Sequence, residues 1–592
     1  MPEPTVPDLS RWRALVDQTL RGASFDRRMN RSLPGGLTLP ALQTERPTDT
    51  SASHLIRSLS REGRWEVSAA HTVGTEGCVD AVHQDIQRGV DSIVVEGADD
   101  AADVAAVLAA VPLNEAGVVW STGASVGARF EQLADASEKQ GVAFASVWGA
   151  IGTDPFAAHL QSGASLLDPA GWQALARVTS ARPKHLSTVA ISGIAAREAG
   201  GSAATELGAL LASGAATLRA LGEAGLSVVQ VAEASRLTVG IGRDQLVGIA
   251  LLRATRLCWA RLCAAFGATD AGATRAPVHG VQLRCWQTRH DPWVNLLRST
   301  LAGFVGAVGG ADAVTLLPYD VPGGAVSDAG RRMATNTQLV LAEECHLAAV
   351  RDPSAGSYAI EHLTLELARA AWGVMQSIEA AGGLEAAAGR DLLVARVAEE
   401  RAALATQLDK RKAALVGVSD FPAAADQALP PSPDSAAGAL APIRHARAWE
   451  DLRDAGEARP DLPPVFLATW GPLPKHSARA MFSANLLAAG GLRSVDPGGA
   501  DSVGTLVDAF REAGARVAVI CGSDADYPAV VPELASALQD AGAEAILVAG
   551  RPRAAEAEWR AAGVTDFIYM GCDARGRLAD LHRVLSITSA AE

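Results

Sequence analysis

From about residue 66 the chain alternates short apolar runs with amphipathic stretches. The runs are Ser92-Ile93-Val94-Val95, Gly117-Val118-Val119-Trp120, Val142-Ala143-Phe144-Ala145-Ser146-Val147-Trp148 and Ser187-Thr188-Val189-Ala190-Ile191-Ser192. They continue with Leu237-Thr238-Val239-Gly240-Ile241, Val281-Gln282-Leu283-Arg284-Cys285-Trp286 and Val314-Thr315-Leu316-Leu317. Between or after them, 205–221, 245–266 and 335–349 space their apolar residues as helices do. Strand–helix units repeated at this length predict a parallel sheet. About eight such units close into a (β/α)8 barrel. The spacing alone fits an open doubly wound sheet as well.

A long helical pattern over 360–413 follows the last run, and residues 420–463 then turn rich in Pro, Ala, Ser and Asp, as in Leu429-Pro430-Pro431-Ser432-Pro433-Asp434. That composition predicts a linker. A second alternation starts at Pro464, with runs at 465–468, 517–520, 545–548 and 567–570 and helical spacing at 478–489, 505–513, 531–541 and 554–562. It predicts a small doubly wound unit of flavodoxin type. The expected divisions are an N-terminal arm (1–40), a barrel with trailing helices (41–413), a linker (414–463) and the flavodoxin-like unit (464–592). The arm carries an amphipathic helix (Trp12, Leu15, Val16, Leu20) outside the barrel units. It is expected to pack either on a partner or on its own barrel.

With 592 residues the chain exceeds a single core, and 48% hydrophobic with 20% charged residues is globular composition. A formal charge of -14 without a basic stripe argues against a nucleic-acid partner. The acidic run at 96–103 reads as a solvated loop and helix start. The seven cysteines are scattered; only Cys258 and Cys263 are near one another, at a spacing no zinc or redox motif uses. Buried free thiols in a reducing compartment are expected. The polar N-terminus and the absence of a run of membrane-spanning length lead to the expectation of a soluble, cytoplasmic protein. There is no Gly-Lys-Ser/Thr phosphate loop, and Gly240-Ile241-Gly242 lacks the third glycine of a dinucleotide site. Glu343 and Glu344 are adjacent, so on a helix they point apart and form no carboxylate pair.

The most specific segment is His290-Asp291-Pro292-Trp293-Val294-Asn295-Leu296-Leu297-Arg298-Ser299-Thr300, continuing to Gly309-Gly310-Ala311-Asp312. Then come Asn336-Thr337-Gln338, Glu343-Glu344, Asp352-Pro353-Ser354-Ala355-Gly356-Ser357-Tyr358 and Val416-Gly417-Val418-Ser419-Asp420-Phe421-Pro422. Together with Ile191-Ser192-Gly193-Ile194-Ala195-Ala196-Arg197-Glu198-Ala199-Gly200, this series resembles the adenosylcobalamin-dependent acyl-CoA mutases, the methylmalonyl-CoA mutase family, over nearly the whole chain. The wording looks more like the small (beta) subunits of the bacterial heterodimeric enzymes than like their large catalytic subunits. The resemblance implies a (β/α)8 TIM-type barrel followed by a flavodoxin-like, cobalamin-binding-type domain.

The departures from the resemblance carry the chemistry. Active relatives have a Tyr-His pair where this chain has Ile194 and Ala195, neither of which moves a proton. Their Asp-x-His-x-x-Gly loop, which ligates cobalt and admits the nucleotide tail, falls on Leu473, Lys475 and Ala478; His476 is one residue out of place. A lone histidine beside Lys475 reads as a solvated loop residue. The later Gly-Gly pair becomes Ala549-Gly550. The small polar run that keeps the barrel hollow becomes Val281-Gln282-Leu283-Arg284, which predicts a refilled barrel. The Arg-Gly-Pro-Tyr segment has no match over 46–65, and an acidic position becomes Val321. The resemblance therefore implies a chain with no catalytic, cofactor-binding or metal-ligating residue of its own, the small subunit of a heterodimer. Its catalytic large (alpha) subunit would hold adenosylcobalamin and interconvert (R)-methylmalonyl-CoA and succinyl-CoA in propionate metabolism. The alternatives are an autonomous acyl-CoA mutase of altered specificity and a non-enzymatic scaffold of the same fold.

Overall fold

The computed structural model describes residues 8–45, 50–97, 101–120, 126–423, 428–432 and 437–587. The 1–7 part of the arm, the 46–49 part of the segment lacking Arg-Gly-Pro-Tyr, the 98–100 part of the acidic run and Pro433-Asp434 lie outside these residues.

The first unit is a parallel barrel. Its strands are Glu66–Thr72, Ser92–Glu96, Gly117–Trp120, Gly149–Ala150, a segment interrupted at Thr188 (Leu186–Ser187 and Val189–Ser192), Ser235–Ile241, Val278–Gln282 and Ala313–Thr315. Each pairs with its successor, and the last pairs with the first through Ala313 opposite Glu66. The interrupted segment meets the fourth strand through Leu186 and the sixth through Val189, so the sheet returns on itself.

Alternate strand residues face opposite ways. The outward set (Val67, Ile93, Val118, Ile191, Leu237, Val314) joins the main hydrophobic core with the helices Ala203–Glu223 and Gln245–Ala265. Both helices are buried nearly all round, as apolar helices must be. Gly208 lets the first approach Tyr358–Ala380, since a Cβ there would lie 2.6 Å from Val374. Arg253, fully buried, ties Gln245–Ala265 to Asp352 and Glu361.

Four local expectations change. The run 142–148 is not a strand: it forms a short 3₁₀ turn, Phe144–Ser146, and pairing begins only at Gly149–Ala150, because the neighbouring strand starts at Gly117. The predicted strand at 281–286 ends at Gln282 and turns into Arg284–Trp286. The helix expected over 335–349 is Asp328–Leu339 followed by a π-turn, Val340–Glu344, which leaves Glu343 and Glu344 exposed. The long 360–413 pattern is two helices, Tyr358–Ala380 and Ala387–Asp409, parted at Gly382 and Gly383, which take left-handed φ of 99° and 72°.

The second unit is a five-stranded parallel sheet, Val465–Thr469, Ser494–Val495, Val517–Cys521, Ala545–Ala549 and Asp566–Ile568. Its spatial order is second, first, third, fourth, fifth, the flavodoxin-type order. The two-residue edge strand Ser494–Val495 is too short to register as an apolar run. The stretch between the units carries a helix, Arg447–Glu457, with Trp449 buried. One hydrophobic cluster runs from Leu283, Cys285 and Trp286 of the barrel through Leu415 and Trp449 to Leu467, Val519 and Leu547 of the second sheet. Among the described residues no helix is long and apolar enough to cross a membrane.

Candidate functional site

Two places correspond to the chemistry read from the sequence: the barrel mouth, at the carboxyl ends of its strands, and the carboxyl edge of the second sheet.

At the mouth, Ile194 and Ala195 open the one-turn helix Ile194–Glu198. Ala195 is buried, Ile194 half-buried, and the Ile194 N–H donates to Ser192 Oγ at 3.2 Å. Gly193 lies directly against the backbone of Glu206, leaving no room for a Cβ. The buried carboxylates around this turn are engaged in structure. Glu198 accepts the N–H groups of Arg284 (2.7 Å) and Cys285 (2.8 Å), which is why the seventh strand ends there. Asp154 accepts from Ser192 N–H (2.8 Å) and the Ser213 hydroxyl (2.6 Å) while capping Pro155–Ser162. Glu206 accepts the Gly240 N–H and lies 3.5 Å from Arg197 Nε. Burial raises the carboxyls of Glu198 and Asp154 above their ordinary range. Arg284 crosses the mouth to Glu96 at 2.6 Å. The ring of His445, from the stretch between the units, lies tilted by 39° against Trp286, with centroids 4.2 Å apart. Burial, with Arg197 and Arg243 adding repulsion, pushes its pKa down to about 3.

The inward strand positions are mixed: Ala70, Ala150, Ala190 and Gly240 are small, Thr238 is polar, and Val94 and Val119 are branched and buried. Ala70, Ala190, Thr238 and Val281 are only half-buried. Of the run 281–284, Val281, opposite Gly240, and Leu283 face inward, and only Leu283, whose side chain covers Gly240, is buried. Gln282 points away from the lumen and holds the Leu317 N–H at 2.8 Å, and Arg284 leaves for the rim. Strand alternation explains the difference, since only every second residue of the run faces inward. Val321 begins the short turn Val321–Gly323 and is half-buried.

Glu206 gives a pH signature. Burial raises its pKa to about 7 from 4.5, with Arg197 and the Gly240 N–H opposing. The native state then holds this proton more tightly than the unfolded chain. Stability from this group is greatest below pH about 4.5 and falls, by on the order of 3 kcal/mol, as pH rises to about 7. Glu206→Gln should remove that slope from unfolding free energies measured between pH 4 and 8. An unchanged slope would show that the fall has another source.

In the second unit, the segment read as a loop is helical from its first relevant residue. Leu473–Ala489 is one helix, so Leu473, Lys475 and Ala478 occupy its first turns, all three exposed. Lys475 Nζ meets Asp526 at 3.1 Å. His476 is not the solvated residue expected: it is 2% exposed, lodged against Gly499. Helical spacing turns it inward while Lys475 turns out.

The crevice at the carboxyl ends of Val517–Cys521 and Ala545–Ala549 is filled by Tyr527. Its ring lies between Gly522 and Gly550, each of which would place a Cβ 3.1 Å from it. The hydroxyl accepts the Gly522 N–H (3.1 Å) and donates to the Ala549 carbonyl (2.8 Å). Arg479 lies 4.6 Å over the ring and pairs with Asp524 at 2.5 Å. Sequence reasoning passed over Tyr527 and Arg479, since neither belongs to a motif. Glu206 left one usable signal, an isolated acid in the first turn of an otherwise apolar helix.

A family model described as methylmalonyl-CoA mutase matches residues 44–462. The methylmalonyl-CoA mutase small subunit of Streptomyces virginiae is 35% identical over 590 residues, 95% of this chain and 94% of that protein. The small subunit of Propionibacterium freudenreichii subsp. shermanii is 34% identical over 357 residues, covering 58% of this chain and 54% of its own. That of Porphyromonas gingivalis is 32% identical over 352 residues, 58% and 56% of the two chains.

Proposed function

The chain belongs to the methylmalonyl-CoA mutase family, and from that premise we propose that it is the non-catalytic small subunit of a heterodimeric mutase. The complex interconverts (R)-methylmalonyl-CoA and succinyl-CoA with adenosylcobalamin carried by the large subunit. The observation that carries this reading is the state of the second sheet's edge. Leu473 and Lys475 stand where an aspartate and a cobalt-ligating histidine are needed, and the Tyr527 ring fills the crevice a nucleotide tail would enter. These residues do not fit a corrin. At the barrel mouth, Ile194 and Ala195 offer no proton-transfer group. The buried carboxylates there are committed to backbone N–H groups, which favours a structural role for them.

Partnership with a large subunit is supported by the names of the relatives and by the arm. None of the residues of the helix Leu9–Leu20 is buried, and Leu9 and Leu15 are about half exposed, at 49% and 56%. The hairpin that follows (Arg31–Leu33 and Leu37–Leu39) is different, with Leu33 and Leu37 buried in the barrel's core. An amphipathic helix left uncovered on its own chain is suited to cover a partner. The arm's function thus divides at about residue 30. Co-expression with a large subunit should yield a stable one-to-one complex. Deleting residues 1–29 should weaken it tenfold or more while shifting the chain's own unfolding free energy by less than about 1 kcal/mol. Assembly at full affinity without the arm would remove it from the interface, and failure of the full-length chains to associate would contradict the heterodimer.

A further inference from the structure

Beside the mouth lies a cavity of about 290 Å³. It opens between the ends of the sixth and seventh strands, the helix Val294–Val308 and residues 414–416. Its walls are apolar: Ile241, Leu283, Trp286, Leu297, Leu301 and Leu415. Two guanidinium groups share it, Arg243 and Arg298.

Neither guanidinium has a carboxylate within ion-pair distance among the described residues. Arg298 donates only to neutral acceptors, the Thr288 hydroxyl (2.9 Å), the Asn295 side-chain oxygen (2.7 Å) and the Val416 carbonyl (2.9 Å). Arg243 donates to the Ala414 carbonyl (2.9 Å) and lies 4.5 Å over the Trp286 ring, which fixes its direction. Of the acids that act on them, Asp244 holds Arg31 and the Val247 N–H and Glu450 holds Arg444, while Asp291 acts on Arg298 without an ion pair. Burial lowers the pKa of Arg298 to about 10, with Asp291 and Glu450 opposing. Two guanidinium groups with no ion-paired carboxylate beside an apolar cavity form a receptor for an anion with an apolar body.

We propose that this cavity is a binding site for a small amphipathic carboxylate, its head on Arg243 and Arg298 and its chain against Leu283, Leu297 and Leu301. At about 30 Å³ per water-sized group, the volume holds on the order of ten non-hydrogen atoms. That is the size of octanoate.

The test uses the full-length chain and three probes, octanoate, octanol and butyrate, followed by calorimetry and tryptophan fluorescence. Octanoate should bind saturably and at least tenfold more tightly than octanol, which lacks the charge, or butyrate, which lacks the chain. Arg243→Gln, at an exposed position, should erase the advantage of octanoate over octanol. Leu301→Trp, which fills the cavity, should lower octanoate affinity tenfold or more. Equal binding of octanoate and octanol, no saturation with octanoate, or wild-type affinity in a folded Leu301→Trp chain would each overturn the proposal. If Leu301→Trp does not fold, the Arg243→Gln comparison decides alone. The outcome does not depend on whether the chain is a small subunit.

Discussion

Adenosylcobalamin added to the isolated chain is expected to leave the cofactor's visible spectrum unchanged. Two obstacles act together. Lys475 is held outward on Asp526, and His476 is buried against Gly499, so no imidazole is presented at the helix start. The Tyr527 ring must also leave its crevice. Its hydroxyl bonds are worth about 1 kcal/mol each and burial of the ring about 2 kcal/mol more. Removing it therefore weakens tail insertion by a factor of about a thousand, before the missing ligand is counted. The two obstacles separate in variants. Leu473→Asp with Lys475→His should still give no base-off, histidine-on spectrum at micromolar cofactor, and adding Tyr527→Gly should bring binding into that range. A shift with the first pair alone would show that Tyr527 is not a barrier. A shift with the wild-type chain would contradict the account of this edge altogether.

The second large effect is expected at Glu450. This residue of Arg447–Glu457 is fully buried; it accepts the Arg289 N–H at 2.7 Å and pairs with Arg444. Its neighbour Asp454, partly exposed, holds Arg289 and receives His290 Nε2 at 2.7 Å. These contacts fasten the helix between the units to the Arg289-His290 segment of the barrel. Glu450→Ala removes the acceptor and leaves Arg289 and Arg444 facing a buried gap. Breaking a buried pair from one side costs about 3–5 kcal/mol. Asp454→Ala, nearer to water, should cost about 1 kcal/mol. Denaturant titration of the first unfolding transition distinguishes them. Equal, small losses for both would mean that the seam is held by its apolar cluster alone.

The strands were readable because their outward halves pack a continuous core: Ile93 and Val95, or Leu237, Val239 and Ile241, announce themselves as runs. The second sheet was readable for the same reason, except for Ser494–Val495, whose two residues form no pattern. The barrel's inner face was not readable from Val281-Gln282-Leu283-Arg284, because bulk in a run says nothing until alternation assigns each residue a side. The breaks were hidden where backbone geometry decided them, at the π-turn Val340–Glu344 and at Gly382-Gly383. At the candidate site, the substitutions Ile194, Ala195, Leu473 and Lys475 stood out against the family's motifs. What fills the space did not. Tyr527 lies some fifty residues from Leu473 in the chain and enters the crevice only through the fold. His476 looked solvated from its neighbours and is buried by the helix that starts three residues before it.

The chain is expected to assemble with a cobalamin-carrying large subunit and to add no second cofactor site. Native mass spectrometry of the co-expressed complex, saturated with adenosylcobalamin, tests both halves at once. The complex should hold one large chain, one copy of this chain and a single adenosylcobalamin, which stays with the large chain when the complex is dissociated. Two cofactors per pair of chains, or a cofactor leaving with this chain, would contradict it.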